Sequence, residues 1–584
     1  MNESPVRQTV AALWPYLRER RRAVGLGLAA LLAKDLLGAA MPLLLRGAVD
    51  SLTAGFGLRK LLLFAAGLLG LTLVKGFFQY WMRVILIGAS RDIEYDLRNR
   101  LFSRLVTLDP AFYTRTRTGD IMARATNDMN AVRMMLGPGL MYWTETSVTF
   151  VLAFGVMCWV DWRLTLVALL PAPAVSVAVI VFGRMIHARF QRIQALFSDI
   201  SSRVQENLSG VRVLRAYAQE EFEQAEFEKL NRRYIRQNLR LGILSGLFHP
   251  VLEMLIGISF LIVLWIGGRR LLDGEITVGT FMMFNFYLGL LAWPMIALGW
   301  VVNLMQRGSA SLGRLRALLD EAPSIAPPAS PRPLTDLRGE IEFRNVTVDF
   351  GAIRAVHGFS LRIPAGATYA IVGQTGSGKS TLAQLIPRLL DPAAGEVVID
   401  GVDVREFDPA DLRRRVGFVP QETFLFSATI AENIALGVPG ASREAILRAA
   451  RDAGLGPDLD SFPKGLDTEV GERGLTLSGG QKQRTAIARA ILRDPAILIL
   501  DDALSSVDTV TEERILANLR EIMRDRTTLL ISHRVSTLRC ADRIIVLAGG
   551  RLVEQGTHDE LLSRGGYYAG LHQKQLLEEE LEAT

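Results

Sequence analysis

The chain has 584 residues, too many for one hydrophobic core, so at least two domains are expected. Hydrophobic residues make up 49% and the mean hydropathy is +0.24, which excludes a wholly soluble globular protein. The charge of +6 and the pI near 9.4 do not point to nucleic acid, because the basic excess is largely arginine beside apolar runs, the pattern of positive-inside topology. Cys158 and Cys540 lie far apart and offer neither a disulfide framework nor a metal cluster. No short apolar stretch with a small-residue cleavage site opens the chain, so the first membrane helix is expected to act as the insertion signal.

In chain order, 1–22 reads as an interfacial elbow helix: Val6 to Tyr16 mixes apolar and polar blocks before Arg18, Arg20, Arg21 and Arg22. A membrane domain, 23–318, follows. Its apolar runs at about 24–52, 58–90, 136–160, 163–186, 243–268 and 277–305 are each long enough to span a bilayer. Short connections such as Asp161-Trp162-Arg163 alternate with long Arg-rich ones, Arg91 to Asp128 and His187 to Arg240, which places the long ones and both termini in the cytoplasm. Arg269 and Arg270 break that pattern on the outer side, with Asp273 and Glu275 nearby to balance them.

Lys34, Asp35, Lys75, Glu145 and Glu253 fall inside predicted spans, where charge is costly; helix-to-helix pairing and cargo contact are both open. Phe77, Phe78, Trp143, Phe284, Tyr287 and Trp300 can line an apolar cavity or face lipid. A Pro-rich linker occupies 319–338. Beyond it, 339–572 alternates short β-type runs with helical stretches, as in an α/β domain with a largely parallel sheet, and 573–584 reads as an acidic helical tail.

After the apolar run Ala370-Ile371-Val372 comes Gly373-Gln374-Thr375-Gly376-Ser377-Gly378-Lys379-Ser380, opening into a helix near Thr381. This is G-x-x-x-x-G-K-[ST], in which glycines let backbone N–H groups wrap the phosphates of ATP and a helix N-terminus adds its positive end. Lys379 is expected at the β- and γ-phosphates and Ser380 on Mg²⁺. Asp501, at the end of the apolar run Ile497 to Leu500, fits the second Mg²⁺ position; an acidic strand cap is the bland alternative.

Leu477-Ser478-Gly479-Gly480-Gln481 precedes a helix running through Arg489. With the phosphate loop it resembles the signature of ABC ATPases, and nearly the whole chain resembles an exporter-type (type IV) ABC half-transporter. The resemblance implies six membrane helices with long cytoplasmic extensions, joined to an α/β P-loop ATPase domain. It also implies a head-to-tail dimer in which Ser478, Gly479, Gly480 and Gln481 act in trans on the partner's ATP. Residue by residue, Phe350 resembles the adenine-stacking aromatic, with a core phenylalanine as the alternative. Gln421 resembles the Q-loop glutamine that ligates Mg²⁺ or water, and Glu472 lies in a likeness of the exporter X-loop. Ser505, Ser506, Val507 and Asp508 resemble the D-loop, and His533 the switch histidine; His558 reads as structural. Gly119-Asp120-Ile121 with Arg124 and Asp128, and Glu206 to Gly210 with Arg215, Ala216, Tyr217 and Glu220, resemble the two intracellular loops.

One position departs from that family. After Asp501 the family carries Glu as general base, and here the residue is Asp502. The shorter side chain loses about 1.5 Å of reach, and ~1 Å at a reacting centre can cost on the order of 10²-fold in rate. The signature is intact, so the expectation is a heterodimer. This chain's site would retain ATP, and its signature would complete a hydrolytic site on a second half-transporter. Export of amphipathic small molecules or peptides across the inner membrane, in contact with membrane lipid, is then expected. Homodimeric lipid flipping and an ATP-gated channel or regulatory receptor are the alternatives.

Overall fold

The computed structural model describes residues 14–583 apart from 56, 472, 473, 475 and 506–508. It divides into two compact units, one of residues up to 106 with 118–321, the other of 107–117 with 322–584. Most of the predicted elbow lies outside the described residues; 14–19 are helical.

The first unit is built on six long helices: α1 (Arg21–Ala54), α2 (Leu58–Thr107), α3 (Thr118–Ala168), α4 (Ala172–Ser209), α5 (Glu220–Leu272) and α6 (Val278–Leu319). Each contains a window apolar and long enough to cross a membrane. α3 breaks at Asp161, whose backbone is extended (φ −157°, ψ 97°), where the short connection was expected. The Asp161 carboxylate accepts from Leu164 N at 3.0 Å and pairs with Arg270 at 2.5 Å, and Arg270 also bonds Glu275 at 2.7 Å. Arg270, one of the two arginines that break the expected charge pattern, is thus neutralised by two carboxylates. At the same end, Asp50 of α1 caps α6 by accepting from Thr277 Oγ1 (2.9 Å) and Gly279 N (2.8 Å).

α6 packs against α1 and α3, and a core built from α3, α5 and α6 contains Met157, Val263, Met283 and Leu291. Phe284 and Tyr287, offered by the sequence as cavity-lining aromatics, are 0% exposed within that core. Close packing on α6 claims them, and the Tyr287 hydroxyl donates to Ala39 O at 2.5 Å. Further along, Asp128 ties α3 to α6 by accepting from Ser311 Oγ (2.9 Å) and from Arg314 Nε (2.9 Å) and Nη2 (2.5 Å). Glu223 does the same between α5 and α4 through Arg203 and Asn207.

In the second unit a mainly parallel sheet and a separate antiparallel one share a core. The antiparallel sheet has the order β2-β1-β4-β5, from β1 (Ile341–Phe350), β2 (Ile353–Ile363), β4 (Ala394–Ile399) and β5 (Val402–Asp403). The other has the order β10-β9-β3-β8-β7-β6, from β3 (Thr368–Gly373), β6 (Val416–Val419), β7 (Ile497–Asp501), β8 (Thr527–Ile531), β9 (Arg543–Ala548) and β10 (Arg551–Gly556). Only β10 runs antiparallel in it. Expecting one largely parallel sheet therefore missed the antiparallel layer, because β1 and β2 are half-buried and read as ordinary alternating strands.

Alternation assigns the faces. Ile371, Ile499, Leu529 and Ile545 face the antiparallel sheet and α7 (Lys379–Leu385), whereas Val372, Leu498, Leu530 and Val546 face α8 (Gly479–Leu492) and α9 (Thr509–Met523). With both faces covered, these strands are apolar throughout. Segment 107–117, which the sequence suggested belongs with the membrane helices, contributes the short helix Pro110–Arg115 to this unit. Asp109 caps it, and its other carboxylate oxygen accepts from Ser324 N at 2.7 Å.

Two glycines of α6 give opposite expectations. A Cβ on Gly308 would lie 2.3 Å from Met135 Cβ, whereas one on Gly313 meets nothing within 4 Å. Both would gain about 1 kcal/mol of helix propensity as alanine, but overpacking costs about 1–3 kcal/mol. In thermal unfolding of the detergent-solubilised protein, Gly308→Ala should therefore lower the melting temperature while Gly313→Ala raises it.

Candidate nucleotide-binding site

Adjacent parallel strands bring the loops after β3, β8 and β7 to one edge. Ile371 and Asp501 both register with Ile531, where β7 and β8 end, and β3 runs two residues further to Gly373, in the position where α/β sheets hold ligands. The phosphate loop leaves β3 through Gly373, where a Cβ would lie 2.2 Å from Leu547 O. It turns through Gly376 (φ +81°) and Gly378 (φ +98°); at Gly378 a side chain would also strike Ala355 O at 2.7 Å.

A cavity of about 270 Å³ at this edge is lined by Thr375, Gly376, Ser377, Gly378, Lys379, Ser380 and Thr381 of the loop and α7, together with Gln421, Asp501, Asp502 and His533. Lys379 Nζ donates to Gly373 O (2.8 Å) and Gln374 O (2.9 Å), and burial lowers its pKa below the ordinary lysine value. Ser380 Oγ donates to Asp501 Oδ1 at 3.1 Å. Burial raises the Asp501 pKa, a tendency that the Ser380 hydrogen bond opposes and the nearby Asp502 reinforces. Burial, with Lys379 nearby, lowers that of His533, which is neutral at pH 7 and offers one donor and one acceptor nitrogen.

Asp502 has a left-handed backbone (φ +50°), a conformation that short polar residues tolerate best. Its N–H donates to Ile531 O (2.8 Å) and its carbonyl accepts from Ser505 Oγ (2.9 Å), so the main chain is clamped on both sides. Phe350 is 48% exposed at the end of β1, which removes the core-phenylalanine alternative, but it does not line the cavity.

Ser478, Gly479, Gly480 and Gln481 do not line the cavity either. They form the capped N-terminus of α8: Gln481 N donates to Ser478 Oγ (3.3 Å) and Ser478 N to Gln481 Oε1 (2.9 Å). Glu472 and, in the D-loop, Ser506, Val507 and Asp508 lie outside the described residues; Ser505 holds Asp502 as above. His558 opens the helix His558–Ser563, and its Nδ1 lies 2.8 Å from the Tyr568 hydroxyl.

Sequence reading missed two supports. Asp458 accepts from Gln481 Nε2 (2.9 Å) and from Arg484 Nη2 (2.7 Å), bracing the signature from a separate helix. Glu512, 1% exposed, accepts from Arg534, Ser536 and Thr537 and so fixes the segment after His533. Neither stands beside a motif, and only the fold brings them in.

The donor set fits a Mg²⁺-nucleotide. Ser377 Oγ is buried in the loop without a partner, Lys379 satisfies itself only on loop carbonyls, and a hydroxyl already pairs with a carboxylate at the metal position.

A phosphate-loop ATPase unit joined to six membrane-length helices defines an ATP-hydrolysing membrane transporter. Residues 24–295 match the ABC transporter transmembrane region and 356–505 the ABC transporter ATPase domain. The chain is 38% identical over 94% of its length to the probable multidrug resistance ABC transporter ATP-binding/permease protein YheI of Bacillus subtilis, and covers 94% of it. It is also 38% identical over 97% of both chains to the multidrug resistance-like ATP-binding protein MdlA of Escherichia coli. An ATP-dependent lipid A-core flippase of Syntrophus aciditrophicus is 36% identical over 87% of this chain and 85% of its own. The solved structure of a bacterial Atm1-family ABC exporter with ATP bound superposes with a TM-score of 0.80 at 30% identity, over 95% of this chain and 99% of that one. The chain belongs to the ABC transporter family and is a half-transporter of the exporter type.

Two predictions concern the apo site. The folded pKa of Asp501 is raised above its unfolded value, so its stabilising contribution is present below the unfolded pKa and lost as the pH rises through the folded one. Asp501→Asn should therefore raise the nucleotide-free melting temperature at pH 7, with the gain vanishing below about pH 4, while MgATP adds a smaller further shift than in the unaltered protein. Separately, Asp458→Ala should cost about 1–3 kcal/mol by leaving Arg484 and Gln481 without their acceptor, measurable by denaturant unfolding.

Proposed function

We propose that the chain is one half of a heterodimeric exporter of amphipathic small molecules or peptides across the inner membrane, with both termini cytoplasmic. The observation that carries this reading is the pairing of a well-braced signature, Ser478 to Gln481, with Asp502 where a longer carboxylate would act as general base. The multidrug names of two relatives support the cargo class. The lipid A-core flippase relative supports lipid flipping by a homodimer as a second reading.

In this scheme Lys379 exchanges its two loop carbonyls for phosphate oxygens, which are better partners for a desolvated ammonium. Ser380, Asp501 and Gln421 hold Mg²⁺, which neutralises phosphate charge when bound. Phe350 stacks on the adenine from its exposed strand end. Neutral His533 bonds the terminal phosphate, and the loop amides of Gly373 to Thr381 supply further donors. Asp502 orients water poorly, so ATP is retained here, while Ser478 to Gln481 grip the nucleotide of the partner. Closure of the two ATPase domains then turns the membrane cavity outward, and hydrolysis resets it.

The purified chain, alone in liposomes, tests this. Turnover should be slow and change less than about threefold in Asp502→Asn, whereas Asp502→Glu, which restores ~1.5 Å of reach, should raise it by up to ~10²-fold. Fast turnover that collapses in Asp502→Asn would overturn the heterodimer reading.

A further inference from the structure

The sequence leaves five intramembrane charges without a role, and the fold gathers four of them. Lys34 and Asp35 of α1, Lys75 of α2 and Glu145 of α3 line one cavity of about 280 Å³, closed on its far side by α6 at Gly289, Leu290, Trp293 and Pro294; Glu253 is exposed elsewhere. Lys34, 4% exposed, bridges both carboxylates, at 2.8 Å to Asp35 Oδ1 and 2.5 Å to Glu145 Oε1. One ammonium shared by two carboxylates leaves negative charge over. Asp35 is 6% exposed, and its Oδ2 is buried with no hydrogen-bond partner. Pro294 has no N–H, so the Leu290 carbonyl beside the cavity lacks its helical donor. Asp35, Glu145 and Leu290, which all line the cavity, thus offer it three acceptors.

Lys75 brings the opposite sign to the same cavity. Lys75 Nζ lies 3.6 Å from where a Gly38 Cβ would be, one turn along α1 from Asp35, and among the described residues Lys75 makes no hydrogen bond or ion pair. The cavity is therefore a dipole, with an acceptor cluster needing donors and an ammonium needing an anion, beside the apolar faces of Leu290 and Trp293.

Position along the helices adds to this. Asp50, Asp161 and Thr277 mark one end of the unit through their capping bonds, and Lys34, Glu145 and Trp293 each stand sixteen positions from one of them. At ~1.5 Å per residue the cavity is about 24 Å from that end, most of a ~30 Å hydrocarbon core. That depth lies inside the core, nearer the opposite leaflet, so a polar head entering from that side crosses only part of the bilayer. Its volume is near the lower limit of ligand cavities, about 300 Å³, enough for a headgroup or one or two residues but not for a whole lipid.

We propose that this cavity binds the head of a zwitterionic amphipath, its primary ammonium among Asp35, Glu145 and the Leu290 carbonyl, its phosphate or carboxylate on Lys75, and its apolar body past Trp293. A primary ammonium is specified because it has three donors for the three acceptors, whereas a quaternary one has none. The inference rests on the export reading only for calling this head a cargo's; the binding itself requires no nucleotide.

The test uses the full chain in detergent without ATP, with dissociation constants from native mass spectrometry for lysophosphatidylethanolamine, lysophosphatidylcholine, lysophosphatidic acid and an unmodified apolar tripeptide. The ethanolamine lipid or the tripeptide, whichever source supplies the chemistry, should bind at least tenfold more tightly than the choline and phosphatidic acid probes. Lys75→Gln should weaken that ligand by about tenfold or more, and weaken lysophosphatidic acid too. Glu145→Gln should weaken the zwitterion but not lysophosphatidic acid, a crossover that a purely structural ion pair would not produce. Gly289→Leu, which fills the cavity from a position where a Cβ meets nothing within 4 Å, should abolish binding without touching a charge. Equal affinity for all four probes, or no change in Lys75→Gln and Gly289→Leu, would overturn the proposal. Loss of ATPase with binding intact would count against the transport reading alone.

Discussion

Three buried strands running side by side in the same direction underlie the nucleotide site. β3, β8 and β7 are in register, so their C-terminal ends reach one edge of the sheet, and the loops that follow them converge on one cavity although they are far apart in sequence. Burial on both faces makes the strands apolar to their last residue and concentrates the polar groups at the edge where they end. Lys379, Asp501 and His533 are all partly desolvated there, and each has its pKa pushed toward the neutral form by that burial. A site held this way is poised for a charged ligand: phosphate and metal can return to these groups the interactions that water would have supplied.

Side chains that never approach the cavity hold the two functional termini in place. The signature helix starts with a capping box and is fixed from outside by Asp458, so its N-terminal amides are presented at a constant angle. Glu512 performs the same service behind His533, collecting an arginine and two hydroxyls in a buried setting where each is well satisfied. Asp502 is clamped through its main chain rather than its side chain, so its carboxylate cannot move forward to make up for its length.

In the membrane unit the same rule operates with helices. Charges in apolar segments are retained where they meet a partner: Arg270 with Asp161 and Glu275, and Lys34 with Asp35 and Glu145. What distinguishes the second group is that its pairing is incomplete, with Asp35 Oδ2 and Lys75 left over beside a cavity.

Much of this was legible in the linear chain. Six apolar runs, their alternating short and long connections, the phosphate loop and the Ser478 signature are local patterns, in which a backbone or a bilayer imposes its own period and needs no distant contact. Lys379, Ser380, Asp501 and the Asp502 departure could be read for the same reason. The antiparallel sheet, the bracing by Asp458 and Glu512, the burial of Phe284 and Tyr287, and the gathering of Lys34, Asp35, Lys75 and Glu145 were decided only by the tertiary structure. Each depends on which faces of separate elements meet, and a residue's own neighbours in sequence hold no record of that, since long-range packing chooses among faces that look equally apolar or equally charged one element at a time.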